Sequence, residues 1–252
     1  MSIMQEETQV LEQELVEEQY IPGEPFDHTV EHSDTYYEQY IENFVPNQKK
    51  RLFYRFVKRS FDIIVSLFAL IVLSPILLIV AIAIKCDSKG SVLFKQKRVG
   101  RNGKTFYCYK FRSMRTDAPH ECATSQLHNP EQYQTKVGRF LRKTSLDELP
   151  QLWCVLVGTM SIIGYRPLIL SEEKCNEMRR RLHVFTARPG ISGYAQVHGR
   201  DDVYYKNKAI LDAEYVKHAS LWLDLKLIFQ TVAVVLKKDG NRDSAKTEEV
   251  KV

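Results

Sequence analysis

The chain has 252 residues and a mass of 29.4 kDa, which allows one substantial domain with an appendage and excludes a large multidomain assembly. Because 44% of its residues are hydrophobic, the chain is not wholly disordered. The net charge of +5 is divided unevenly: residues 1–48 hold 12 Asp or Glu and no Lys or Arg, so the rest of the chain carries a net charge of +17. That basic part favours anionic partners such as phosphates, acidic lipid surfaces or nucleic acid.

The acidic segment of residues 1–48 is predicted to be a mostly disordered tail, because its charges and its prolines Pro22, Pro25 and Pro46 oppose dense packing. A short helix over residues 8–19 is compatible with the pattern, and the segment is either a solvated tail or a docking arm. Its first residues lack the positive flank and early apolar core of a secretory signal. The five cysteines are odd in number and lack metal-binding spacing, which indicates a reducing, cytoplasmic setting.

An uncharged apolar run covers residues 63–84. As one helix it would be about 33 Å long, enough for a hydrocarbon core of about 30 Å. Pro75 lies near the middle of the run, where it lacks an amide hydrogen and its ring pushes on the carbonyl of Ile71, so the helix should break there. The Ser74 hydroxyl can satisfy a carbonyl that the break leaves free.

Basic residues flank the apolar run on both sides. They are Lys49, Lys50, Arg51, Arg55, Lys58 and Arg59 before it and Lys85, Lys89, Lys95, Lys97 and Arg98 after it. Because positive charge prefers the cytoplasmic side of a membrane, both ends are expected on the same face. The pattern favours a re-entrant hairpin broken at Ser74 and Pro75. A single span with a tolerated kink and a buried core helix are the alternatives.

The residues after Gly90 predict a small α/β domain that is mostly helical. Residues 92–99 and 104–111 read as strands joined by a tight type I′ turn at Asn102 and Gly103. Helices are expected over residues 149–157 and 172–185, and a long one over residues 209–238. The apolar stripe of the last helix favours core packing over a place in the membrane interface. It consists of Leu221, Leu225, Ile228, Phe229, Val232 and Leu236, with Trp222 beside it and Lys237 and Lys238 at its end.

The densest group of chemically useful residues lies in residues 138–152. Asp147 and Glu148 follow three cations, which are Arg139, Arg142 and Lys143. One interpretation is structural, since Ser145 and Glu148 have the spacing of a capping box at a helix start. The other is functional: a helix start and arginines attract phosphate, and two carboxylates supply hard oxygen ligands for Mg²⁺. Two further basic, turn-rich clusters cover residues 164–167 and 188–200.

Taken together, these motifs resemble the bacterial sugar transferase family, the monotopic phosphoglycosyl transferases, over roughly residues 58–237. The strings that carry the resemblance occur in the same order over that length. They are Lys58-Arg-Ser-Phe-Asp62, Leu73-Ser-Pro75, Phe94-Lys-Gln-Lys-Arg-Val-Gly-Arg-Asn-Gly103, Tyr109-Lys-Phe-Arg-Ser-Met114, Arg142-Lys-Thr-Ser-Leu-Asp-Glu-Leu-Pro-Gln151, Met160-Ser161, Arg166-Pro167, Arg188-Pro-Gly190 and Gln196-Val197.

The resemblance implies transfer of a sugar 1-phosphate from a UDP-sugar to undecaprenyl phosphate, with release of UMP and Mg²⁺ as the cofactor. It implies that Asp147 is the nucleophile and that Glu148 is its neighbour at the metal site. Arg142, Arg166 and Arg200 match positions of phosphate-binding arginines in the family. Lys110 and Arg112 on the strand hairpin are further predicted phosphate ligands. Four positions depart from the pattern, namely Cys154, Thr159, Tyr165 and His198.

The expected architecture is therefore a re-entrant membrane helix hairpin followed by a small catalytic domain on the cytoplasmic face of the bacterial inner membrane, with amphipathic interfacial helices. The expected segments are an acidic tail (1–48), a collar and hairpin (49–85), a catalytic domain (86–238) and a charged C-terminal tail (239–252). Inner-membrane lipids are expected partners, self-association is open, and no nucleic-acid partner is expected. The competing functions are a conventional glycosyltransferase that releases UDP and a catalytically silent membrane scaffold.

Overall fold

The computed structural model describes residues 20–47, 51–119, 129–198 and 204–236. Most of the described chain is helical, with two small two-stranded sheets, in agreement with the predicted α/β class. The helices are α1 (Asp34–Asn43), α2 (Leu52–Val72), α3 (Ser74–Asp87), α4 (Lys136–Thr144), α5 (Gln151–Val157), α6 (Glu173–Arg181), α7 (Tyr194–His198), α8 (Tyr205–His218) and α9 (Leu221–Leu236). The strands are β1 (Leu93–Val99), β2 (Thr105–Phe111), β3 (Ser161–Ile163) and β4 (Gly190–Ser192).

The apolar run is broken where Ser74 and Pro75 predict a break. Helix α2 ends at Val72, α3 begins at Ser74, and the two axes are bent by 61°. The Ser74 hydroxyl donates to the Ile71 carbonyl at 2.7 Å, which satisfies the acceptor freed by the proline. Within the described chain no single helix is long and apolar enough to cross a membrane. The two helices of the bent pair, taken together, have sufficient length and apolar composition.

The second arm of the bent pair is packed against the rest of the protein. Val80 and Ile84 of α3 form a buried cluster with Phe111 at the end of β2 and Leu141 of α4. Apolar side chains on the other faces of α2 and α3 stay exposed. These include Ile64, Leu67, Phe68, Ile71, Leu78, Ile79 and Ile82. Helix α4 therefore packs directly against the C-terminal half of α3.

The first arm is attached by polar contacts from its basic end. Lys58 lies 2.8 Å from the Asp224 carboxylate of α9. The Arg59 guanidinium donates to two main-chain carbonyls at the C-terminal end of α5, at 2.6 and 2.8 Å. Asp62 accepts from the Ser161 hydroxyl at 3.1 Å and from the following N–H at 3.0 Å. The basic collar thus binds the domain as well as flanking the apolar run.

The first sheet is the predicted antiparallel hairpin. Asn102 and Gly103 both have positive φ, 57° and 72°, and the Lys104 N–H donates to the Arg101 carbonyl, as a type I′ turn requires. The strand register pairs Val99 with Thr105, so this turn lies inside a longer loop instead of closing the ladder directly.

The second sheet brings two of the turn-rich clusters together. Strands β3 and β4 are parallel, and the ladder pairs Ser161 with Gly190 and Ile163 with Ser192. Gly164, which follows β3, lies very close to the loop that precedes β4. A Cβ at position 164 would be 2.3 Å from the Arg188 carbonyl oxygen. The residues that follow β3 are therefore fixed against the Arg188 loop.

The single long C-terminal helix predicted over residues 209–238 is wrong: α8 ends at His218 and α9 begins at Leu221. Ala219 leaves helical geometry, with φ −48° and ψ 126°, and the Ser220 hydroxyl accepts from the Leu223 N–H, which starts a new helix. The preference for core packing of the apolar stripe is also wrong for most of its described members, since Phe229 is 72% exposed. Leu227, outside the stripe, is the fully buried core residue. Lys237 and Lys238 lie outside the described residues.

Residues 20–47 differ from the disordered tail predicted for residues 1–48. They contain α1, whose three tyrosines pack into the largest buried cluster together with residues of α6 and α8. Those tyrosines are Tyr36, Tyr37 and Tyr40. The acidic charges are on the outer face, where Glu38 pairs with Arg181, so net acidity did not reveal the apolar inner face. The helix proposed over residues 8–19 lies outside the described residues.

The packing of this segment predicts the effect of Tyr37→Phe. The Tyr37 hydroxyl is buried, donates to Asn207 Oδ1 at 2.5 Å and accepts from the His32 N–H at 3.1 Å. Its removal leaves a buried acceptor unsatisfied, so the free energy of unfolding should fall by about 1–3 kcal/mol. Urea unfolding in detergent micelles measures this. The control is Glu38→Gln, which removes an exposed ion pair and should cost less than about 1 kcal/mol. Equal stability of Tyr37→Phe and wild type would contradict the packing.

Candidate active site

Asp147 and Glu148 lie in a single 3-10 turn, Leu146–Glu148, between α4 and α5. The chain enters this turn through Ser145, which has a left-handed conformation with φ 58° and ends α4. It leaves through Pro150, the residue before α5, where a missing amide hydrogen costs nothing. The turn therefore presents both carboxylates at a sharp junction of two helices.

The capping-box interpretation of this segment is not realised. The Ser145 side chain makes no capping hydrogen bond, and the next α-helix begins only at Gln151. The functional interpretation also changes in detail, because the carboxylates precede the helix start and do not occupy its first turn. The turn has its own main-chain hydrogen bonds, from the Glu148 N–H to the Ser145 carbonyl and from the Leu149 N–H to the Leu146 carbonyl, and cations from other elements contact its side chains.

Glu148 is shared by two of the predicted phosphate ligands. Its Oε1 atom lies 2.9 Å from Lys110 Nζ of β2 and 3.3 Å from an Arg166 guanidinium nitrogen. The Glu148 side chain is 11% exposed. Burial of this carboxylate is thus matched by one cation from β2 and one from the segment after β3.

Asp147 is the more buried carboxylate, with 8% of its surface exposed. Burial raises its pKa above the ordinary value of 3.8; Lys110 opposes this rise, and the negative charge of Glu148 adds to it. Arg142 and Arg166 also act on the Asp147 carboxylate and favour its charged form. The side chain is a desolvated carboxylate surrounded by cations, which is a common setting for a reactive group.

Arg142 reaches this cluster because α4 approaches the segment after β2 unusually closely. A Cβ at Gly138 would be 1.9 Å from the Ser113 carbonyl oxygen, so only glycine fits there. The Arg142 Nε donates to the Ser113 hydroxyl at 3.0 Å. Ser113 was not predicted as a site residue, although it lies inside one of the resemblance strings.

Arg112, one of the predicted phosphate ligands, makes its described side-chain hydrogen bonds just after α3, and its binding of phosphate stays a prediction. Its guanidinium donates to the Ser88 carbonyl at 2.7 Å and to the Lys89 carbonyl at 2.5 Å, at the C-terminal end of α3. Residues two positions apart on a strand share a face, so the sequence predicts that Lys110 and Arg112 lie on the same face. Arg112, however, lies beyond the end of β2. It fastens the bent helix pair instead of the carboxylate pair. Arg200 lies outside the described residues.

A cavity of about 190 Å³ adjoins Glu148. Glu148 and Arg166 line one part of it, and Leu149, Leu152 and Val197 contribute apolar walls. Further lining comes from β4, α7 and α9. The space is far larger than the ~10–15 Å³ that one water molecule needs, so part of a substrate can enter beside the charged cluster.

The two carboxylates fit one way of holding Mg²⁺ and not another. Within the described ranges no group of three or more His, Cys, Asp or Glu side chains could hold a metal ion, so a cage made entirely by the protein is not present there. Mg²⁺ is, however, usually bound through one or two carboxylates together with substrate phosphates. Asp147 and Glu148 match that donor set.

The family model for bacterial sugar transferases matches residues 53–238. The chain belongs to this family. The matched range holds the bent helix pair, both sheets and the carboxylate turn. The predicted resemblance is therefore confirmed at the level of the family.

Named relatives extend the comparison within the bacterial sugar transferases. The undecaprenyl-phosphate galactose phosphotransferase of Salmonella typhimurium is 40% identical over 202 residues, 74% of this chain and 42% of that protein. An uncharacterized sugar transferase of Haemophilus influenzae is 40% identical over 208 residues, 77% of this chain and 44% of that protein. The exopolysaccharide production protein ExoY of Sinorhizobium fredii is 37% identical over 198 residues, 73% of this chain and 87% of that protein. The chain thus spans less than half of the first two relatives and most of the third.

The four departures from the family pattern fall outside the carboxylate cluster. Cys154 is buried beneath β2, and Thr159 donates its hydroxyl to the Cys154 carbonyl at 3.1 Å. Tyr165 is buried against Phe185. His198 stacks on Tyr194 with ring centroids 4.0 Å apart. Cys154, Tyr165 and His198 thus contribute to packing in this bacterial sugar transferase, whereas Thr159 is exposed.

The buried charge of Asp147 predicts a pH-dependent effect of Asp147→Asn on stability. The folded-state pKa lies above the ordinary value of 3.8, so the folded state retains the proton to higher pH and ionisation costs stability as pH rises. In metal-free buffer at pH 7 the free energy of unfolding of the variant should therefore be higher than that of wild type. The difference should shrink as pH falls towards 3.8.

Urea unfolding over this pH range measures the effect, and Asp117→Asn is the matched control. A hydrogen bond from Arg115 holds the pKa of the exposed Asp117 below its ordinary value, so this variant should show no gain. A wild type that is more stable than Asp147→Asn at neutral pH would contradict the account of the buried carboxylate.

Proposed function

We propose that the protein is a phosphoglycosyl transferase that moves a sugar 1-phosphate from a UDP-sugar to undecaprenyl phosphate and releases UMP. One observation carries this proposal: in a bacterial sugar transferase chain, two adjacent, mostly buried carboxylates lie at a turn where Lys110 and Arg166 converge. The names of relatives agree with this chemistry, since one is an undecaprenyl-phosphate galactose phosphotransferase and another is a UDP-glucose:undecaprenyl-phosphate glucose-1-phosphate transferase. Exopolysaccharide synthesis is the proposed context, by analogy with ExoY.

The proposed reaction has two displacements at the same phosphorus. In the first, an Asp147 oxygen attacks the β-phosphorus of the UDP-sugar, and the bond from that phosphorus to the UMP oxygen breaks. UMP leaves as an anion, and the sugar phosphate remains bonded to Asp147 as a mixed anhydride. In the second, an oxygen of the lipid phosphate attacks this phosphorus, and the carboxylate leaves. The products are a sugar diphospholipid and a regenerated Asp147.

The cations have separate roles in this scheme. Lys110 and Arg166 contact Glu148, and an ammonium and a guanidinium each carry several N–H groups that can bind diphosphate oxygens. Arg142 is oriented by Ser113 towards the same cluster and would neutralise charge on the departing UMP. Asp147 and Glu148 would hold Mg²⁺, which supplies charge neutralisation on the diphosphate.

The bent helix pair is proposed to be a re-entrant membrane hairpin. Its exposed apolar side chains cover both arms around the break at Ser74. A second apolar face on α9, with Leu225, Phe229 and Val232 exposed, lies on the helix that Lys58 and Tyr54 of α2 contact. Trp222, which is 78% exposed, suits the headgroup level of an interface. The catalytic domain would then face the cytoplasm at the inner membrane.

A donor assay with Asp147→Asn tests the reaction. Purified protein is supplied with UDP-galactose or UDP-glucose, undecaprenyl phosphate and Mg²⁺, and the nucleotide product is identified by chromatography. Wild type should release UMP. Asp147→Asn should lose more than about 10³-fold of this rate, as expected when a nucleophile is removed, whereas Asp117→Asn, an exposed carboxylate outside the cluster, should keep it.

Two outcomes of this assay would overturn the proposal. Release of UDP in place of UMP would indicate a conventional glycosyltransferase. An unchanged rate in Asp147→Asn would remove the nucleophile, and wild-type polysaccharide synthesis in cells carrying only that variant would favour a catalytically silent scaffold.

The membrane topology is tested by accessibility of tags. A tag at Ser2 and a tag at Val252 should both be protected in intact spheroplasts and accessible after permeabilisation. Pro75→Leu removes the helix break, so part of the population should place the Ser2 tag outside. A periplasmic Ser2 tag in the unmodified chain would show a single span and contradict the hairpin.

A further inference from the structure

The segment that carries Arg166 is held by an unusual set of main-chain contacts. Each of five consecutive carbonyls, at positions 165–169, accepts a hydrogen bond from another part of the fold. The donors are the Gly190 N–H, Arg179 Nη1, Arg98 Nη1, the Val99 N–H and Asn176 Nδ2, in that order along the segment. Because so many of its carbonyls are hydrogen-bonded, the main chain of this loop has little conformational freedom. The directions of its side chains are fixed as a result.

Arg179 is the donor that acts on Arg166 itself. Its guanidinium contacts the Arg166 carbonyl at 2.9 Å, and its second terminal nitrogen forms an ion pair with Asp212 of α8. Its guanidinium carbon also lies 5.5 Å from the centre of the Tyr165 ring. One planar group therefore connects α8 to the two residues that lead into the site.

This ion pair is a costly way to stabilise a fold. Both side chains are 0% exposed, and among the described residues neither Arg179 Nε nor Asp212 Oδ1 has a hydrogen-bond partner. Taking two charges out of water with incomplete hydrogen bonding generally gives no more stability than well-packed apolar side chains would. Stability alone thus gives no reason for the pair, whereas geometry at Arg166 does.

The surroundings keep the pair dry and rigid. Tyr165 lies in the same buried cluster as Met178 and Leu182 near the end of α6 and Ala213 of α8. The α1 tyrosines are buried members of the same cluster. In such an environment a guanidinium fork keeps one orientation, because each of its contacts is strong and no water competes.

We infer that Arg179 and Asp212 form a positioning pair for the transferase reaction, which sets the main chain at Arg166 and thereby places the Arg166 guanidinium beside Glu148. Neither residue touches the reacting groups. The inference rests on the proposed function for its catalytic consequence, since Arg166 is the predicted phosphate ligand. A misplacement of about 1 Å at such a group costs roughly 10²-fold in rate.

The test removes both charges together, as Arg179→Met with Asp212→Leu. Because no unpaired buried charge remains, the double variant should unfold at a temperature close to that of wild type. Its kcat/KM for UMP release with UDP-galactose or UDP-glucose should nevertheless fall about 10²-fold. Normal activity in a folded double variant would overturn the inference.

A background lacking the Arg166 side chain separates positioning from general damage. In Arg166→Ala protein the double substitution should cost less than about 2-fold further, since the group that it misplaces is absent. A full 10²-fold loss in that background would show that the pair acts elsewhere. If the double variant fails to fold, Arg179→Lys replaces it in the same cycle, because lysine keeps the charge beside Asp212 without the planar fork.

Hydrogen exchange gives a readout that does not need activity. Peptides covering residues 164–168 should exchange faster in the Arg179→Met, Asp212→Leu protein, while peptides from α3 and α4 should exchange as in wild type. Unchanged exchange at residues 164–168 would contradict the positioning role. A wild type that turns over no UDP-sugar would overturn the proposed function alone, and this exchange measurement would still decide the role of the pair.

Discussion

The sharing of Glu148 between Lys110 and Arg166 is the interaction on which the site depends. Lys110 comes from the antiparallel hairpin and Arg166 from the segment after β3, so the two small sheets meet through one carboxylate. Without these cations, two adjacent carboxylates with so little exposure would be strongly disfavoured as a charged pair. The cations stabilise the charged form of the turn, and in the proposed reaction they would also bind the diphosphate of the donor.

The bent helix pair is connected to this site by packing and by polar contacts. Helix α3 packs through Val80 and Ile84 onto α4, which carries Arg142, and Arg112 fastens the end of α3 to the end of β2. Helix α2 is fixed through Lys58, Arg59 and Asp62 to α9, α5 and β3. If the pair enters a membrane as proposed, its depth sets the height of Asp147 relative to the lipid headgroups. A water-soluble donor and a membrane-bound acceptor then reach the same carboxylate in turn.

Short-range signals in the sequence were sufficient for the local structure. Ser74 and Pro75 predicted the helix break, Asn102 and Gly103 predicted the turn, and motif order predicted the family. Lys110 is predicted as a phosphate ligand and not as a partner of Glu148, so its contact with Glu148 is a finding of the structure. Signals that depend on tertiary contact cannot be recognised along the chain: Arg112 has the residue type of a phosphate ligand, but it donates to the Ser88 and Lys89 carbonyls just after α3, more than twenty positions away.

The errors have a common physical cause. The acidity of residues 1–48 indicated disorder, yet residues 20–47 contain tyrosines that are buried against α6 and α8. That surface comes from distant parts of the chain, so the local sequence does not show it. The apolar stripe of α9 suggested core packing, yet helical periodicity identifies an apolar face without identifying what covers it. Ser220, which separates α8 from α9, was read as part of a continuous helix because a single serine is tolerated in one. Buried polar pairs such as Arg179 and Asp212 give no pattern along the chain at all.

The central claim is that the Asp147 carboxylate bonds covalently to the phosphosugar. The most direct measurement is mass spectrometry of protein quenched after mixing with a UDP-sugar and Mg²⁺ in the absence of undecaprenyl phosphate. The account predicts a hexose-phosphate adduct on the peptide containing Asp147, which disappears when undecaprenyl phosphate is added before the quench. An adduct confined to a peptide without Asp147, or UMP release with no adduct at any time, would contradict it.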